Sequence, residues 1–417
     1  MLNVNLNISP PWSSGIAYEI MMILGGSDKT MIVGGAVRDW LSGIPVKDID
    51  FASKLLPDES MKILLKAGYN VKPIGIDHGT ITVFNNNKSY EITSLRKDII
   101  TDGRHARVIF EGSWEDDAYR RDFTINALYS DEYGSIIDPT GLGFKDLESK
   151  TLRFIGKPQT RIKEDYIRII RYFRFFSKYS KNIDKDSMES CIKYAKYLSI
   201  ISGRRILAEL EKIFLEKDSK NIINILVDKN IMNAVYSPSL VKSFNLEKSL
   251  LKKIISLLNT NKNKNRNSYA FILYTSFIII LQNNKKYNSS KIVLSIVDRF
   301  SLSNNDKNLL NRNIAWISKN EIITKNFITK LWLDDGELFV LELKEILSII
   351  DNKKVKMFLS TFNNAPPIFP ISGKDLKKIG MSEGKKIGQI IKTTRDWWIN
   401  NDCMPDKNKC ISFIKKL

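Results

Sequence analysis

Short apolar and β-branched runs alternate with turn residues in the first third of the chain. Between two of these runs, Asp58–Tyr69 has apolar residues at helical spacing and ends beside Gly68, a residue typical of helix C-termini. The runs with the length and composition of strands are Met31–Gly35, Thr80–Phe84, Ser89–Leu95 and Ala106–Phe110. This alternation predicts an α+β head that contains a mixed sheet with helices.

The strand signal fades from about Glu164 onward. Glu164–Tyr179 has apolar residues at helical spacing with arginines interleaved, and Ser202 is a good N-cap for another segment with the same period. Helical patterns continue to about residue 360, and Asn363–Gly373 is rich in proline and has the composition of a linker. The expected fold is therefore an α+β head followed by an all-α remainder.

Composition adds a class of partner to this picture of the fold. The chain has 417 residues, more than one compact domain usually holds, and its 65 Lys and Arg against 46 acidic residues give a net charge of +19. Such an excess favours a polyanionic partner, and nucleic acid is the first candidate. The alternative is a solubility surface in a protein rich in lysine and asparagine.

Cysteine, histidine and apolar content exclude several classes. The three cysteines form neither a disulfide framework nor a metal spacing, and two histidines are too few for a His-built metal site. The N-terminus has no secretory pattern, and the longest apolar run, Tyr269–Leu281, is too short for a membrane span, so we expect it to be a buried helix. These features predict a cytoplasmic protein without a membrane partner.

Asp48 and Asp50 form the pair with the clearest chemical meaning. If both lie on a strand, they point to the same face, where two carboxylates repel each other unless a cation lies between them. Mg²⁺ prefers oxygen ligands and often combines one or two protein carboxylates with substrate phosphates. The alternative for such a pair is an ordinary solvated turn.

The residues before this pair favour the metal interpretation. Gly34 and Gly35 end a strand and precede a helix, so their N–H groups are suited to bind a triphosphate, and Arg38 adds charge one turn later. Taken singly, the glycines are consistent with a tight turn and Arg38 with a surface position. Glu91 is a candidate third metal ligand, with an exposed strand position as the alternative.

Two further stretches carry candidate binding residues. In the first, Arg121 is a candidate phosphate ligand, and a surface charge at a helix end is the alternative. Asp122 and Asn126 are candidates to reach a ribose, and the apolar segment Phe123–Leu128 is expected to begin a helix. In the second, Asp165 and Arg168 are three residues apart and are expected on one helix face, in a row that Arg171 and Arg174 continue.

The Asp–Arg pair suggests a way to read a base. A carboxylate accepts from an exocyclic amino group and an arginine donates to a ring acceptor. Cytosine and adenine both present an amino group beside a ring nitrogen acceptor, whereas uracil and guanine present the opposite pattern. The pair Asp165 and Arg168 would therefore select C and A. A structural row of salt bridges is the alternative.

These blocks, in this order, resemble those of class II tRNA nucleotidyltransferases, the CCA-adding enzymes, whose core bacterial poly(A) polymerases share. The blocks are GGAVRD, DID, RRDFTINAL, EDYIRIIR and ISGRRILAEL. The resemblance is specific over about Met31–Phe214 and continues weakly to the C-terminus.

The resemblance implies four domains: a nucleotidyltransferase head (1–150), a helical neck that recognises the base (151–220), a helical body that binds RNA (221–365) and a basic helical tail that binds tRNA (366–417). It implies Asp48 and Asp50 as catalytic metal ligands. Residues implied to bind the nucleotide are Gly35, Arg38, Arg121, Asp165, Arg168, Arg171 and Arg174.

The sequence also departs from the family pattern. The neck block often reads E-D-P-L-R, and here Tyr166 and Ile167 replace the proline and leucine. The last block often has an acidic residue before its arginine, and here Arg204 precedes Arg205. The His-Asp phosphohydrolase domain that some bacterial members carry is not expected, because the chain has two histidines.

The implied reaction is the addition of CCA to tRNA from CTP and ATP. The tRNA 3′-hydroxyl would attack the α-phosphate beside Mg²⁺ ions held by Asp48 and Asp50, and pyrophosphate would leave. The alternatives are a poly(A) polymerase, an enzyme adding only CC or only A, and a non-catalytic RNA-binding protein. Lys97–Val108 is either a mobile loop that helps the switch from C to A or an ordinary hairpin. No obligate protein partner is evident.

Overall fold

The computed structural model separates the chain into two units, of which the first contains Met1–Asn245 with two short later segments and the second most of the remainder. The division into four domains stays a prediction, and Tyr269–Leu281 lies outside the described residues. The residues described are 9–86, 88–101, 106–110, 112–216, 218–235, 289–304, 307–308, 311, 329–330, 332–333, 367–379 and 385–417.

The head is built on a seven-stranded sheet with the order β3-β4-β5-β2-β1-β8-β9, while β6 and β7 form a separate pair. β2 and β5 are parallel and the other neighbours are antiparallel, so the predicted mixed sheet is confirmed. The strands are β1 Thr30–Val33, β2 Asp50–Ser53, β3 Asn70–Lys72, β4 Thr80–Asn85, β5 Lys88–Ser94, β6 Lys97–Thr101, β7 Ala106–Ile109, β8 Tyr129–Ser130 and β9 Ile136–Ile137.

Helices cover the sheet and then form the rest of the first unit. The predicted helix near residues 58–69 is confirmed, and Gly68 follows its end with φ +86°. The helices are α1 Gly15–Ile23, α2 Gly35–Leu41, α3 Pro57–Lys66, α4 Trp114–Tyr119, α5 Gly143–Glu148, α6 Pro158–Glu164, α7 Arg168–Tyr179, α8 Lys185–Tyr194, α9 Gly203–Leu215, α10 Ser219–Asp228 and α11 Ile231–Val235.

Among the described residues after 235, the regular elements are all helices, as predicted. They are α12 Ser289–Phe300, α13 Gly373–Lys378, α14 Lys385–Asn400 and α15 Lys407–Ile414. The last three pack around a small core that contains Trp398 and Cys410, both almost fully buried. None of the helices in the described ranges has the length and apolar character needed to cross a bilayer.

The register of the sheet places the acidic residues Asp50 and Glu91 side by side on the neighbouring strands β2 and β5. Asp50, the first residue of β2, lies opposite Val33 on β1 and opposite Glu91 on β5. Asp48 precedes β2, so the expectation that both aspartates lie on a strand was wrong for Asp48. The Asp48 side chain reaches the same region from the loop.

Two helix predictions also need correction. Asp165 is not on the helix of Arg168: α6 ends at Glu164, Asp165 has extended backbone (φ −156°, ψ 107°), and α7 begins at Arg168. The apolar segment after Arg121 forms only a short 3₁₀ turn, Thr124–Asn126. Both errors arise because side-chain spacing does not reveal where a helix is interrupted.

The segment Lys97–Val108 contains antiparallel strands. β6 and β7 pair from Lys97 opposite Ile109 to Thr101 opposite Ala106, with an irregular register after Asp98. The hairpin interpretation is confirmed for these strands. A role in switching from C to A stays a prediction.

An aromatic cluster joins the head to the helix α7 that follows it. Phe154 stacks on Tyr172 of α7 with ring centroids 5.6 Å apart and an interplanar angle of 12°, and Phe123 lies 4.8 Å from Phe154. All three rings are almost fully buried. Because this contact fixes α7 against the head, polar residues from both parts can form one rigid pocket.

Candidate active site

A pocket of 730 Å³ lies between the head and the helices α7 and α9. Twelve of the residues predicted from sequence line it, namely Gly34, Gly35, Arg38, Asp48, Asp50, Arg121, Asp122, Asn126, Asp165, Arg168, Arg171 and Arg174. Glu91 lines an adjoining pocket of 680 Å³ that shares Asp50, Arg121 and Asp165 with the first. The structure therefore brings together residues that are spread over more than 120 positions of the chain.

The carboxylates of Asp48 and Asp50, at the N-terminal end of β2, carry negative charge that no ion pair balances within the described residues. Burial raises the pKa of Asp50, the negative charges of Glu91 and then Asp48 raise it further, and Arg121 opposes them, with a result of about 6. Within the described ranges, neither Asp48 nor Asp50 forms an ion pair. A bound cation would relieve this repulsion and restore the ionised form of Asp50.

The oxygen donors fit a hard divalent cation better than a soft one. Among the residues that the structure describes, no group of three or more His, Cys, Asp and Glu side chains is arranged to hold an ion. The predicted metal role of Asp48 and Asp50 therefore involves two protein carboxylates, with substrate oxygens left to complete the shell. A ligand role for Glu91 stays a prediction.

Gly34 provides space at the turn between β1 and α2. Its backbone has φ +69° and ψ −115°, and a Cβ there would lie 3.2 Å from Nη1 of Arg121. Contrary to the sequence-based expectation, the Gly34 N–H does not face a ligand, since it donates to the Leu128 carbonyl at 3.0 Å. The free N–H groups of the first turn of α2, which begins at Gly35, remain for a phosphate.

Arg38 is a buried part of the pocket wall and not a surface residue. Its Nε and Nη2 donate to Oδ1 of Asp39 at 3.0 and 2.8 Å, and Nη1 donates to Oδ1 of Asn126. The guanidinium lies over the Tyr179 ring, 4.2 Å from its centroid, and the Tyr179 hydroxyl donates to the same Asp39 oxygen at 2.6 Å. These contacts fix the guanidinium in one orientation.

Asp117 anchors two further arginines and was not predicted from sequence. Its oxygens accept from Nε of Arg120 at 2.7 Å, from Nη2 of Arg121 at 2.8 Å and from the Tyr129 hydroxyl at 2.6 Å. Burial alone would raise the pKa of Asp117, but Arg121 and Arg120 hold it well below its usual range. Arg121 is therefore a fixed pocket charge, and the surface interpretation was wrong.

Asp122 joins the head to α7. Its Oδ1 accepts from Nδ2 of Asn126 at 2.9 Å, and Oδ2 accepts from Nε of Arg171 at 2.8 Å. Burial opposes ionisation, yet the charge of Arg171 and the bond from Asn126 lower the pKa of Asp122 to about 2. A contact from Asp122 or Asn126 to a ribose stays a prediction, since protein groups already occupy both oxygens of Asp122.

Asp165 and Arg168, the two residues predicted to read the base, line the pocket and form ion pairs with different residues. Oδ2 of Asp165 accepts from Nη2 of Arg205 at 2.6 Å, and Nη1 of Arg168 donates to Oε2 of Glu164 at 2.6 Å. Asp165 and Arg168 are therefore each oriented by an oppositely charged neighbour and not by one another.

Arg174 completes the set of paired arginines. Its Nε lies 3.2 Å from Oε2 of Glu209, an ion pair without good hydrogen-bond geometry, and its guanidinium lies 4.4 Å from the centroid of the Phe175 ring. Glu209 is almost fully buried and also lies 3.8 Å from Arg171.

Four functional neighbours escaped the sequence reasoning: Asp117, Glu164, Arg205 and Glu209. Three of them lie within the dense blocks, four residues from an arginine, which is the spacing of an ion pair on one helix face. Asp117 is four residues before Arg121, Glu164 is four before Arg168, and Glu209 is four after Arg205. The Arg205–Asp165 pair spans 40 residues, and only the packing of α9 reveals it.

The raised pKa of Asp50 leads to a prediction about stability. Unfolded chains lose this proton near pH 4 and the folded protein near pH 6, so the free energy of unfolding falls as pH rises through this window. Asp50→Asn should remove that loss and, without divalent metal, stabilise the protein at pH 8 by about 1–2 kcal/mol, a discounted value because Asp50 is partly exposed.

Urea unfolding in EDTA at pH 4 and pH 8 measures this effect. The stabilisation should be present at pH 8 and absent at pH 4, and Asp58→Asn, on the solvent face of α3, serves as the control. A less stable Asp50→Asn protein at pH 8 would contradict the account of unbalanced charge.

Two family models match the chain. Residues 30–153 match the model described as the poly A polymerase head domain, and residues 182–242 match the model described as a probable RNA and SrmB- binding site of polymerase A. Both lie in the first structural unit.

Relatives match nearly the whole chain. The human protein named CCA tRNA nucleotidyltransferase 1, mitochondrial, is 30% identical over 97% of this chain and 91% of its own length. A CCA-adding enzyme of Ligilactobacillus salivarius is 31% identical over 92% of both proteins.

Solved structures share the fold. The Bacillus stearothermophilus CCA-adding enzyme in complex with CTP has a TM-score of 0.63 at 22% identity and covers 98% of both chains. The Thermotoga maritima CCA-adding enzyme in complex with tRNA has a TM-score of 0.66 at 20% identity, over 96% of this chain and 95% of the other. The predicted fold class is thereby confirmed.

Proposed function

The chain belongs to the family of class II CCA tRNA nucleotidyltransferases, as its sequence blocks predicted, and we propose that it adds CCA to the 3′ ends of tRNA from CTP and ATP, with release of pyrophosphate. The observation that carries this proposal is the charge arrangement of the pocket. Asp48 and Asp50 have no cationic partner in the described structure. They line the same pocket as several arginines, each of which forms an ion pair with an Asp or Glu side chain.

The nucleoside triphosphate would lie along the pocket with its phosphates toward Asp48 and Asp50. Arg121 lies beside the turn at Gly34 and is held by Asp117, so its charge faces this end without needing to reorganise. Fixed charges of this kind stabilise charge that develops during phosphoryl transfer. The arginines of α7 line the same pocket, where they can contact the rest of the nucleotide.

Asp48 and Asp50 would hold the divalent metal that this family uses, and we propose Mg²⁺ because the donors are carboxylate oxygens. When bound, the ion supplies positive charge beside the α-phosphate and favours the ionised form of the attacking hydroxyl. Without metal, part of the Asp50 population is protonated near neutral pH because its pKa is about 6. Metal binding therefore competes with this proton.

The proposed reaction is a direct displacement at the α-phosphate. The 3′-oxygen of the RNA forms a bond to phosphorus, the bond from phosphorus to the oxygen of the leaving pyrophosphate breaks, and the hydroxyl proton passes to solvent. The residues of the pocket orient the triphosphate and stabilise the negative charge of the leaving group. The pocket needs no protein nucleophile for this chemistry.

Asp165 and Arg168 would select the base. Asp165 accepts from the exocyclic amino group of cytosine or adenine, and Arg168 donates to the neighbouring ring nitrogen. Arg205 and Glu164 hold these two side chains at the pocket wall, with contacts of 2.6 Å each. Uracil and guanine would place an acceptor against the Asp165 carboxylate, which disfavours them.

The poly(A) polymerase alternative is favoured by one observation, the descriptions of the two matched family models. The relatives that match nearly the full chain are named for CCA addition, which supports the CCA assignment. An enzyme adding only CC or only A, or a protein that only binds RNA, has no specific observation in its favour.

We also propose the four-domain division and a cytoplasmic location. The head model ends at residue 153, close to the proposed boundary at 150. Three cysteines without disulfides are consistent with a reducing compartment, although the human relative is named as mitochondrial. Cell fractionation with an antibody to the chain would test the location.

Replacing Asp48 tests the metal assignment. Asp48→Ala should lower kcat by about 10³-fold or more, because the charge that stabilises the displacement is lost. The Kd for tRNA should stay within about twofold, since Asp48 is a single exposed side chain of the head and carries no positive charge to contact RNA phosphates. Single-turnover addition of one CMP and a filter-binding assay measure the two quantities.

Asp58→Ala on the solvent face of α3 is the matched control and should behave like the unaltered protein. Turnover of Asp48→Ala at more than a tenth of the control rate would exclude Asp48 as an essential metal ligand.

Replacing Asp165 tests base selection. Asp165→Asn keeps the size of the side chain but adds an N–H donor, so it should accept uracil and guanine better. The ratio of kcat/KM for CTP to that for UTP should fall about tenfold or more, since one good base contact contributes about 1–3 kcal/mol of discrimination. Asp186→Asn, on the exposed side of α8, is the control; an unchanged ratio in Asp165→Asn would contradict the assignment.

A further inference from the structure

Three tyrosines stack on one another at the surface of the first unit. Tyr166 and Tyr197 have ring centroids 4.8 Å apart with an interplanar angle of 21°, and Tyr197 and Tyr194 have centroids 6.2 Å apart at 29°. Tyr166 lies between α6 and α7, Tyr194 ends α8, and Tyr197 is in the 3₁₀ turn Ala195–Ile200. We call these three residues the tyrosine ladder.

Three exposed lysines surround the ladder. Lys163 and Lys193 place Nζ 5.5 and 5.7 Å from the centroid of the Tyr194 ring, and Lys196 places Nζ 5.1 Å from the centroid of the Tyr197 ring. Considering only the described residues, none of these lysines forms an ion pair and no tyrosine hydroxyl of the ladder forms a hydrogen bond. The patch therefore combines aromatic rings with uncompensated positive charge.

A purely structural role explains only part of this arrangement. Stacked rings do hold α6 against α8, and such pairs contribute to packing. Packing alone, however, does not require three exposed lysines over the rings, since apolar neighbours would cover the same surface. Lysines beside aromatic faces are the combination that binds single-stranded nucleic acid, in which cations contact phosphates and rings stack on bases.

The position of the ladder indicates which RNA would lie there. Tyr166 directly follows Asp165, which lines the candidate active site, so the ladder begins one residue from the pocket wall. An RNA strand whose 3′ end enters the pocket must pass over the surface next to it. Base pairs in a duplex hide their faces, whereas unpaired nucleotides can stack on tyrosine.

We propose that the tyrosine ladder and its three lysines bind the unpaired 3′ end of the RNA substrate as it enters the pocket. This proposal rests on the proposed function. The family model that matches residues 182–242 describes an RNA-binding site but names neither the side chains nor the part of the RNA.

The lysines are tested first, because removing exposed lysines should not disturb folding. Lys193→Ala/Lys196→Ala should raise the KM for tRNA about tenfold while kcat and the KM for CTP stay within twofold. The slope of log Kd for tRNA against log salt should become shallower by about 1.4, since each contact to single-stranded RNA contributes about 0.7. Lys62→Ala/Lys66→Ala on α3 is the matched control and should leave all these quantities unchanged.

The stacking is tested with RNA of two shapes. The probes are a fluorescein-labelled RNA hairpin with four unpaired 3′ nucleotides and the same hairpin with a blunt end. Tyr166→Leu removes the end ring of the ladder nearest the pocket, which stacks on only one other tyrosine. It should weaken binding of the tailed hairpin about fivefold or more, as expected from the loss of one base stack, and leave the blunt hairpin within twofold. A thermal melt confirms that the variant is folded.

The two tests have separate outcomes. Equal losses for the tailed and the blunt hairpin, or a tRNA KM within twofold of the unaltered protein in the double lysine variant, would overturn the proposal. Because hairpin binding needs no catalysis, a selective loss for the tailed probe would support the ladder even if the protein failed to add nucleotides. In that case only the proposed function would be rejected.

Discussion

Charge pairing is the constraint on which the candidate site depends. Each arginine of the pocket has an acidic partner from the protein: Arg38 with Asp39, Arg120 and Arg121 with Asp117, Arg168 with Glu164, Arg171 with Asp122, Arg174 with Glu209 and Arg205 with Asp165. Asp48 and Asp50 have no such partner in the described part of the chain. The pocket thus has rigid positive walls and one negative end that requires a cation.

The paired arginines contribute more to geometry than to stability. Buried ion pairs recover little net free energy, because both charges lose their hydration, but they keep their groups in fixed directions. Asp122 illustrates the point, since its two oxygens connect Asn126 of the head to Arg171 of α7. The pocket can therefore stabilise a transferring phosphate without first reorganising its own dipoles.

The sequence predicted the local structure and the membership of the site better than the contacts within it. Strands and helices followed from apolar spacing, and the dense polar blocks identified twelve of the eighteen residues that line the first pocket. The six that they missed are Arg120, Ile167, Phe175, Arg205, Ala208 and Glu209. Spacing failed at Asp165, because α6 ends at Glu164 and α7 begins at Arg168, and a regular row of side chains does not reveal such a break. Contacts such as Arg205 with Asp165 depend on how α9 folds back over α7, which no local pattern contains.

The most direct test of the central claim is a single-nucleotide gel. Purified protein and Mg²⁺ are given a tRNA that ends at the discriminator base, with CTP alone, ATP alone or both. The account predicts two additions with CTP, none with ATP alone and a clean stop after three with both. A series of progressively longer products with ATP alone, or no addition under any condition, would contradict it.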